Sequence, residues 1–218
     1  TLSVIPQAAA PAEAATQTKT SKEYVNGSYT VAASFYDSGS KVYSTEASFL
    51  TAAAAKVTIK SKKISSVSFT LAKDSPAYSD LTINGSKAKT STGKDGSVTY
   101  TFAAGAYQTS SKAATFTVNG SKFSADVVFS ALPSSAFVTV TETSAVVKKK
   151  VQKNSAVYNR DGAKTKYKSI KAGKTVTTYG TLTRGTTKYY KVSKTASKYI
   201  KASNVDGRYI TLKNAAAV

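Results

Sequence analysis

The chain has 218 residues, enough for one or two domains, and 41% of them are hydrophobic, with 14 Tyr and 8 Phe; that is too much apolar surface for a disordered polycation. It holds no Cys, His, Met or Trp, which removes disulfides, thiol and Ser-His-Asp catalysis, and imidazole or thiolate metal sites. The formal charge of +20 is concentrated: residues 1–143 carry 13 Lys against 9 acids, whereas residues 144–218 carry 15 Lys and 3 Arg against Asp161 and Asp206.

A field of that size draws polyanions to the C-terminal third and weakens as salt is added. On charge alone, nucleic acid, anionic lipid and anionic cell-wall polymer all qualify as partners. No apolar run approaches the roughly 18 residues of a spanning helix, so the chain as given is expected to be soluble and not transmembrane.

The first stretch, TLSVIPQAAAPAEAATQTKTSKE, is rich in Ala, Thr and Pro and has no helical stripe. Residues 1–22 read as a flexible arm, and TLSVIPQAAA also has the texture of the end of a secretory signal or of the residues after its cleavage site.

From Glu23 to Leu132 apolar residues alternate with polar or small ones: Tyr29, Val31, Ala33 and Phe35; Val67, Phe69 and Leu71; Val98, Tyr100 and Phe102; Phe123, Ala125, Val127 and Phe129. Period two means half-buried strands, and the turns VNGS, INGSK, TGKDGS and VNGSK between them fit an antiparallel sandwich of the immunoglobulin type over residues 23–132. The one helical interruption is STEASFLTAAAAK, Ser44 to Lys56, a short helix or lid. Tyr36, Tyr43, Tyr78 and Tyr107 are read either as core or as an exposed aromatic patch.

NGSYTVAASFYDSGSKVYSTEASFLTAAAAKVTIKSKKISSVSFTL (Asn26–Leu71) together with FTVNGSKFSADVVF (Phe116–Phe129) resembles the NEAT domain, an immunoglobulin-like module of Gram-positive surface proteins. The resemblance implies a haem or small-ligand receptor as an alternative function. The YxxxY motif that carries the haem-iron ligand in that family falls on Asn119 and Phe123, and the lid tyrosine falls near Leu50, so the ligand tyrosine is missing and no cofactor is expected. The sandwich is therefore read as a presented module or spacer.

Residues 133–143 read as a linker with room for one edge strand. Beyond them, strand pieces at Ala156–Tyr158, Thr175–Tyr179, Lys188–Val192, Tyr199–Ala202 and Tyr209–Leu212, with glycine turns between, predict a small SH3-like β-barrel over residues 144–214. The whole chain is thus expected to be all-β. SAVYNRDGAKT, IKAGKTVTTYG, KYYKV and KYIKASNVDG stand in the order and spacing of the lactobacillus-type SLAP domain, and the segment resembles that C-terminal cell-wall anchor of S-layer and S-layer-associated proteins. The resemblance implies secretion to the cell-wall or S-layer surface and non-covalent attachment to teichoic or lipoteichoic acid, with the S-layer lattice protein as a further possible partner. Such proteins often carry two repeats; this chain has one, which removes avidity.

The charge pattern points the same way, since eleven cations and no acid lie between Gly162 and Val205. A flexible polyol-phosphate chain needs several cations within reach of successive monoanions, and a phenol ring beside them can pack on the polyol and bond a phosphate oxygen. The candidate polyanion-binding residues are Arg160, Lys166, Lys168, Lys171, Lys174, Arg184, Lys188, Tyr190, Lys191, Lys198, Tyr199, Lys201 and Arg208. Strand alternation puts Lys188 and Tyr190 on one face, Tyr189 and Lys191 on the other, and Tyr199 beside Lys201. Single-stranded nucleic acid is a weaker alternative, because no nucleic-acid-binding motif is present. No carboxylate pair, nucleophile-base pair or metal cluster can be assembled, so no enzyme activity and no metal are expected.

Overall fold

The computed structural model describes residues 16–207, and the chain divides into two compact units: Glu23–Val138, and the residues up to Lys22 together with those from Thr139 onward. All the pairings between strands described below are antiparallel, in keeping with the all-β class.

In chain order, β1 spans Thr18–Tyr24, β2 Gly27–Val31 and β3 Ala33–Asp37; α1 (Ser48–Ala53) precedes β4 Ala55–Lys60, β5 Lys63–Leu71, β6 Tyr78–Ile83, β7 Ser86–Lys87, β8 Lys89–Thr92, β9 Val98–Ala103, β10 Lys112–Val118 and β11 Ser121–Phe129. In the Glu23–Val138 unit these make two five-stranded sheets, ordered β3-β11-β10-β6-β7 and β2-β4-β5-β9-β8, a β-sandwich. The period-two residues fill the space between the sheets. Phe35, Val67, Phe69, Tyr100, Phe102, Phe116, Val127 and Phe129 are all buried, and the Phe69 ring touches those of Phe35, Phe102 and Phe129 at centroid distances of 5.8, 6.2 and 6.2 Å. Asn119 and Gly120, both at positive φ (51° and 78°), close the β10-β11 hairpin, the left-handed pair that an Asn-Gly turn supplies at little steric cost. The helix read over Ser44–Lys56 is shorter than that stretch; it ends at Ala54, where φ is 54°, and Leu50 is its buried residue.

Tyr78 ties α1's approach to the core. Its hydroxyl donates to the Glu46 carbonyl at 2.6 Å, and its backbone N–H donates to the Tyr100 hydroxyl at 2.9 Å. Burial, reinforced by the nearby Tyr100 and Glu46, pushes its phenol up to about 12. Because the folded value lies above the ordinary one near 10, the associated stability is complete below pH 10 and is lost as pH rises toward 12. Urea melts across pH 9–12 should show a decline on the order of 2 kcal/mol that Tyr78→Phe removes. At neutral pH that variant should be about 1 kcal/mol less stable through the lost hydrogen bond. An unchanged alkaline profile in the variant would place the decline elsewhere.

In the second unit, β12 (Phe137–Thr143), β13 (Val146–Lys150), β14 (Thr175–Tyr179), β15 (Thr181–Arg184), β16 (Thr187–Lys191) and β17 (Tyr199–Lys201) lead to a short helix, α2 (Ser203–Asp206). One sheet runs β1-β12-β15-β16-β17, and β13-β14 form a separate ribbon. Among the described residues these strands do not close into a barrel. Part of the segment read as a flexible arm is β1, and the linker, read with room for one edge strand, holds β12 at Phe137–Thr143, which lies between β1 and β15 rather than at an edge. The piece read at Ala156–Tyr158 forms only isolated bridges, Ser155 with Ile170 and Tyr158 with Lys164 and Tyr199. The piece at Tyr209–Leu212 lies outside the described residues.

The β12-β15 pair of the five-stranded sheet runs on around a corner into the β13-β14 ribbon. Val140 pairs with Arg184 and Glu142 with Leu182, but past the corner Val146 pairs with Tyr179. Three residues, Thr143 to Ala145, therefore stand opposite two, Gly180 and Thr181, which is the register slip of a β-bulge. The bulge turns the chain so that Val151, Val157, Tyr190, Ile200, Ala202 and Val205 meet in a small core.

Candidate polyanion-binding site

Between residues 139 and 207 there are 14 Lys and 2 Arg against Glu142, Asp161 and Asp206. Glu142 and Asp206 hold cations in place. Arg160 Nε donates to Glu142 Oε1 at 3.0 Å, and Lys149 Nζ donates to Asp206 Oδ1 at 3.0 Å. The other Asp206 oxygen accepts the Tyr190 hydroxyl at 2.6 Å. Burial raises the Asp206 carboxyl, but the hydrogen bonds from Tyr190 and Lys149 and the charges of Lys149 and Lys188 outweigh it, leaving the group below its ordinary value and ionised.

The cations and rings fall into three groups. In the first, Lys149 Nζ lies 4.8 Å and Lys188 Nζ 5.8 Å from the Tyr190 ring centroid. In the second, Lys201 Nζ lies 5.4 Å from the Tyr158 centroid, Tyr158 packs on Tyr189 at 5.6 Å, and Tyr199 senses the charges of Glu142 and Arg160. In the third, Lys198 Nζ sits 4.0 Å from the centroid of Tyr167, a ring that is 52% exposed and flanked in sequence by the exposed Lys166 and Lys168. Such stacking is electrostatic and leaves the ammonium hydrogens free to face a second, anionic partner.

These placements correct the sequence reading at Tyr190, Tyr199 and Tyr167 and bear out its alternation along β16. Tyr190 and Tyr199 are only 6% and 5% exposed, so neither ring can lie along a polymer; they are core and inner-layer residues, and the Tyr190 hydroxyl is committed to Asp206. Alternation along β16 holds, since Lys188 stands over Tyr190, while Lys191 and Tyr189 share the opposite face with Tyr199 and Lys201 across the β16-β17 ladder. Lys188 therefore belongs to a different face from Lys191 and Lys201. Tyr167 was missed, because it lies in the strand-poor stretch between β13 and β14, where no periodicity marks a face. Lys171 and Lys174 are exposed near the turn before β14, Arg184 ends β15, and Arg208 lies outside the described residues.

At the positions where the NEAT resemblance would place the haem tyrosines stand Asn119, Phe123 and Leu50. The open groove of about 330 Å³ between α1 and the β10-β11 hairpin is lined by Glu46, Phe49, Pro76, Val118, Asn119 and Phe123 among others, with no tyrosine, and Leu50 faces the core. Among the described residues no group of three His, Cys, Asp or Glu is placed to hold a metal ion, and no helix is long and apolar enough to cross a membrane.

Fold and side chains together define a basic all-β protein with a cation-rich unit in which, among the described residues, lysines far outnumber carboxylates. Residues 141–203 match the family model of the surface layer protein A domain. That similarity supports a surface-layer type of protein with a structural role at the cell surface. No curated protein matches the chain.

Proposed function

We propose that the protein is S-layer-associated and is held non-covalently on the cell wall by its basic unit, which binds the phosphates of teichoic or lipoteichoic acid, while the sandwich is presented as a separate module. The observation that carries this reading is the third group above: Lys198 lies over the exposed Tyr167, the exposed Lys166 and Lys168 flank that ring in sequence, and among the described residues none of the three lysines is held by a carboxylate. A polyol-phosphate chain matches that group on both counts, with an apolar backbone for the ring and spaced monoanions for the ammonium heads. Surface-layer similarity over residues 141–203 fits the same location.

The test is co-sedimentation of the whole chain with Gram-positive walls before and after removal of their phosphate polymers. The full chain is required, because a fragment starting at Ser144 would lack β1 and β12 of the five-stranded sheet. Attachment should disappear on stripped walls and should fall with salt, each phosphate contact adding about 0.7 to the log-log slope as for other flexible polyanions. Equal attachment to stripped walls, or attachment indifferent to salt, would overturn the proposal.

A further inference from the structure

The sandwich carries a second arrangement on the outer face of its β3-β11 pair. Phe35 and Val127 point into the core, so Tyr36, Asp126 and Val128 point outward, with Asp126 directly opposite Tyr36 in the ladder. Beyond β3 the chain doubles back through a tightly bonded loop. Asp37 N–H donates to the Val42 carbonyl at 2.8 Å, Ser40 N–H to the Asp37 carbonyl at 2.9 Å, and Gly39 N–H to Asp126 Oδ2 at 2.8 Å. The loop returns Tyr43 beside Tyr36 as an isolated bridge, and the two phenol rings stack at 4.9 Å with an interplanar angle of 24°. Tyr43 nevertheless stays 60% exposed, and an open depression of about 500 Å³ lies against the pair, rimmed by Ser40, Lys41, Ser111 and Asp126.

We infer that this platform is a binding site for neutral oligosaccharide. It is independent of the polyanion reading and uses no residue of the basic unit. The exposed Tyr43 ring, backed by the stacked Tyr36 ring and held by a bonded loop, offers a flat apolar face of the kind that the C–H face of a pyranose covers, and the depression is of small-molecule size. The rim supplies the complementary polar groups: the second Asp126 oxygen accepts from sugar hydroxyls, Lys41 donates to them, and the serines do both. A hydrophobic peptide or acyl chain would strip water from Asp126 and Lys41 without replacing its hydrogen bonds, and a phosphate chain would meet the Asp126 carboxylate. A sugar ring satisfies apolar floor and polar rim together.

The probes are chitotetraose, cellotetraose and maltotetraose, titrated into the full chain and followed by saturation-transfer NMR and calorimetry. At least one should bind, and its affinity should persist at roughly 0.5 M salt, where contacts made by the basic unit are screened. Tyr43→Ala should weaken that binding about tenfold or more, whereas Tyr43→Phe, which keeps the ring, should stay within about threefold of the parent. Asp126→Asn tests the rim and should change which of the three probes is preferred. Failure of all three probes to bind, or equal binding by the parent and Tyr43→Ala, would overturn the inference, as would recovery of a protein ligand at this face without sugar binding.

Discussion

Reversing Lys166, Lys168 and Lys198 together to Glu is expected to release the protein from cell walls, lowering affinity by a hundredfold or more at roughly physiological salt. The magnitude follows from about 1 kcal/mol for each cation held near a dense anionic surface, and reversal adds repulsion to that loss. Among the described residues none of the three lysines is held by a carboxylate, so no buried charge is orphaned and the fold should persist. The informative control changes the net charge by the same amount elsewhere: Lys63→Glu, Lys94→Glu and Lys122→Glu all lie on exposed positions of the sandwich. If attachment reports only the net charge of +20, the two triple variants will detach alike. If the Tyr167 group is the contact, the control stays bound. Tyr167→Ala alone should give a smaller loss that salt does not reproduce, because it removes the apolar contact and leaves the charges. Wall binding by the Lys166, Lys168 and Lys198 variant equal to that of the parent would remove this group from the site.

The sandwich was legible in the sequence because its longer strands have one face toward a single core. Phe35 against Tyr36, or Val127 against Asp126, shows the alternation that a half-buried strand imposes. The Asn119-Gly120 turn announced its hairpin for the same local reason. In the basic unit that logic fails. Tyr189 and Tyr190 are neighbours on opposite faces of β16 and both are buried, so the sheet is covered on both sides and alternation no longer separates core from surface. One consequence is that Tyr190 and Tyr199 were read as ligand-facing when they are packed inside. β1 went unread, and β12 was read only as a possible edge strand, for a different reason: TKTSKEY is polar and mostly exposed, and its place beside FVTVTET depends on pairing across more than a hundred residues, for which no local pattern exists. The charge segregation was legible, since it is a property of composition. Its division into three groups was not, because Lys198 meets Tyr167 only through the fold.

Gly180→Ala should unfold the basic unit, and this is the largest effect expected of any single substitution in it. Gly180 sits at φ +106°, a conformation an L side chain rarely adopts, and a Cβ built there lands on the carbonyl oxygen of Thr143 and within 3.2 Å of the Ser144 Cα. Both obstacles are backbone, so no rotamer change can relieve them. They are also the residues of the bulge: Thr143 Oγ1 accepts the Thr181 N–H at 3.1 Å, and Lys191 N–H donates to the Gly180 carbonyl at 3.1 Å, so moving the chain away breaks the bonds that fix the corner. Strain at positive φ contributes about 1–2 kcal/mol, and opening a packed backbone contact adds several more, together comparable to the whole stability of a small unit. Gly173 supplies the comparison. Its φ is +84°, but nothing lies within 4 Å of the added Cβ, so Gly173→Ala should show only the conformational term of about 1 kcal/mol. Guanidinium melts, read alongside tryptic cleavage at Lys188, Lys191 and Lys201, separate the cases: Gly173→Ala should stay folded and resistant, whereas Gly180→Ala should be cleaved rapidly at all three. A Gly180→Ala protein that melts within about 1 kcal/mol of the parent would mean that the corner is not the hinge on which β13-β14 and β12-β15 turn into one core.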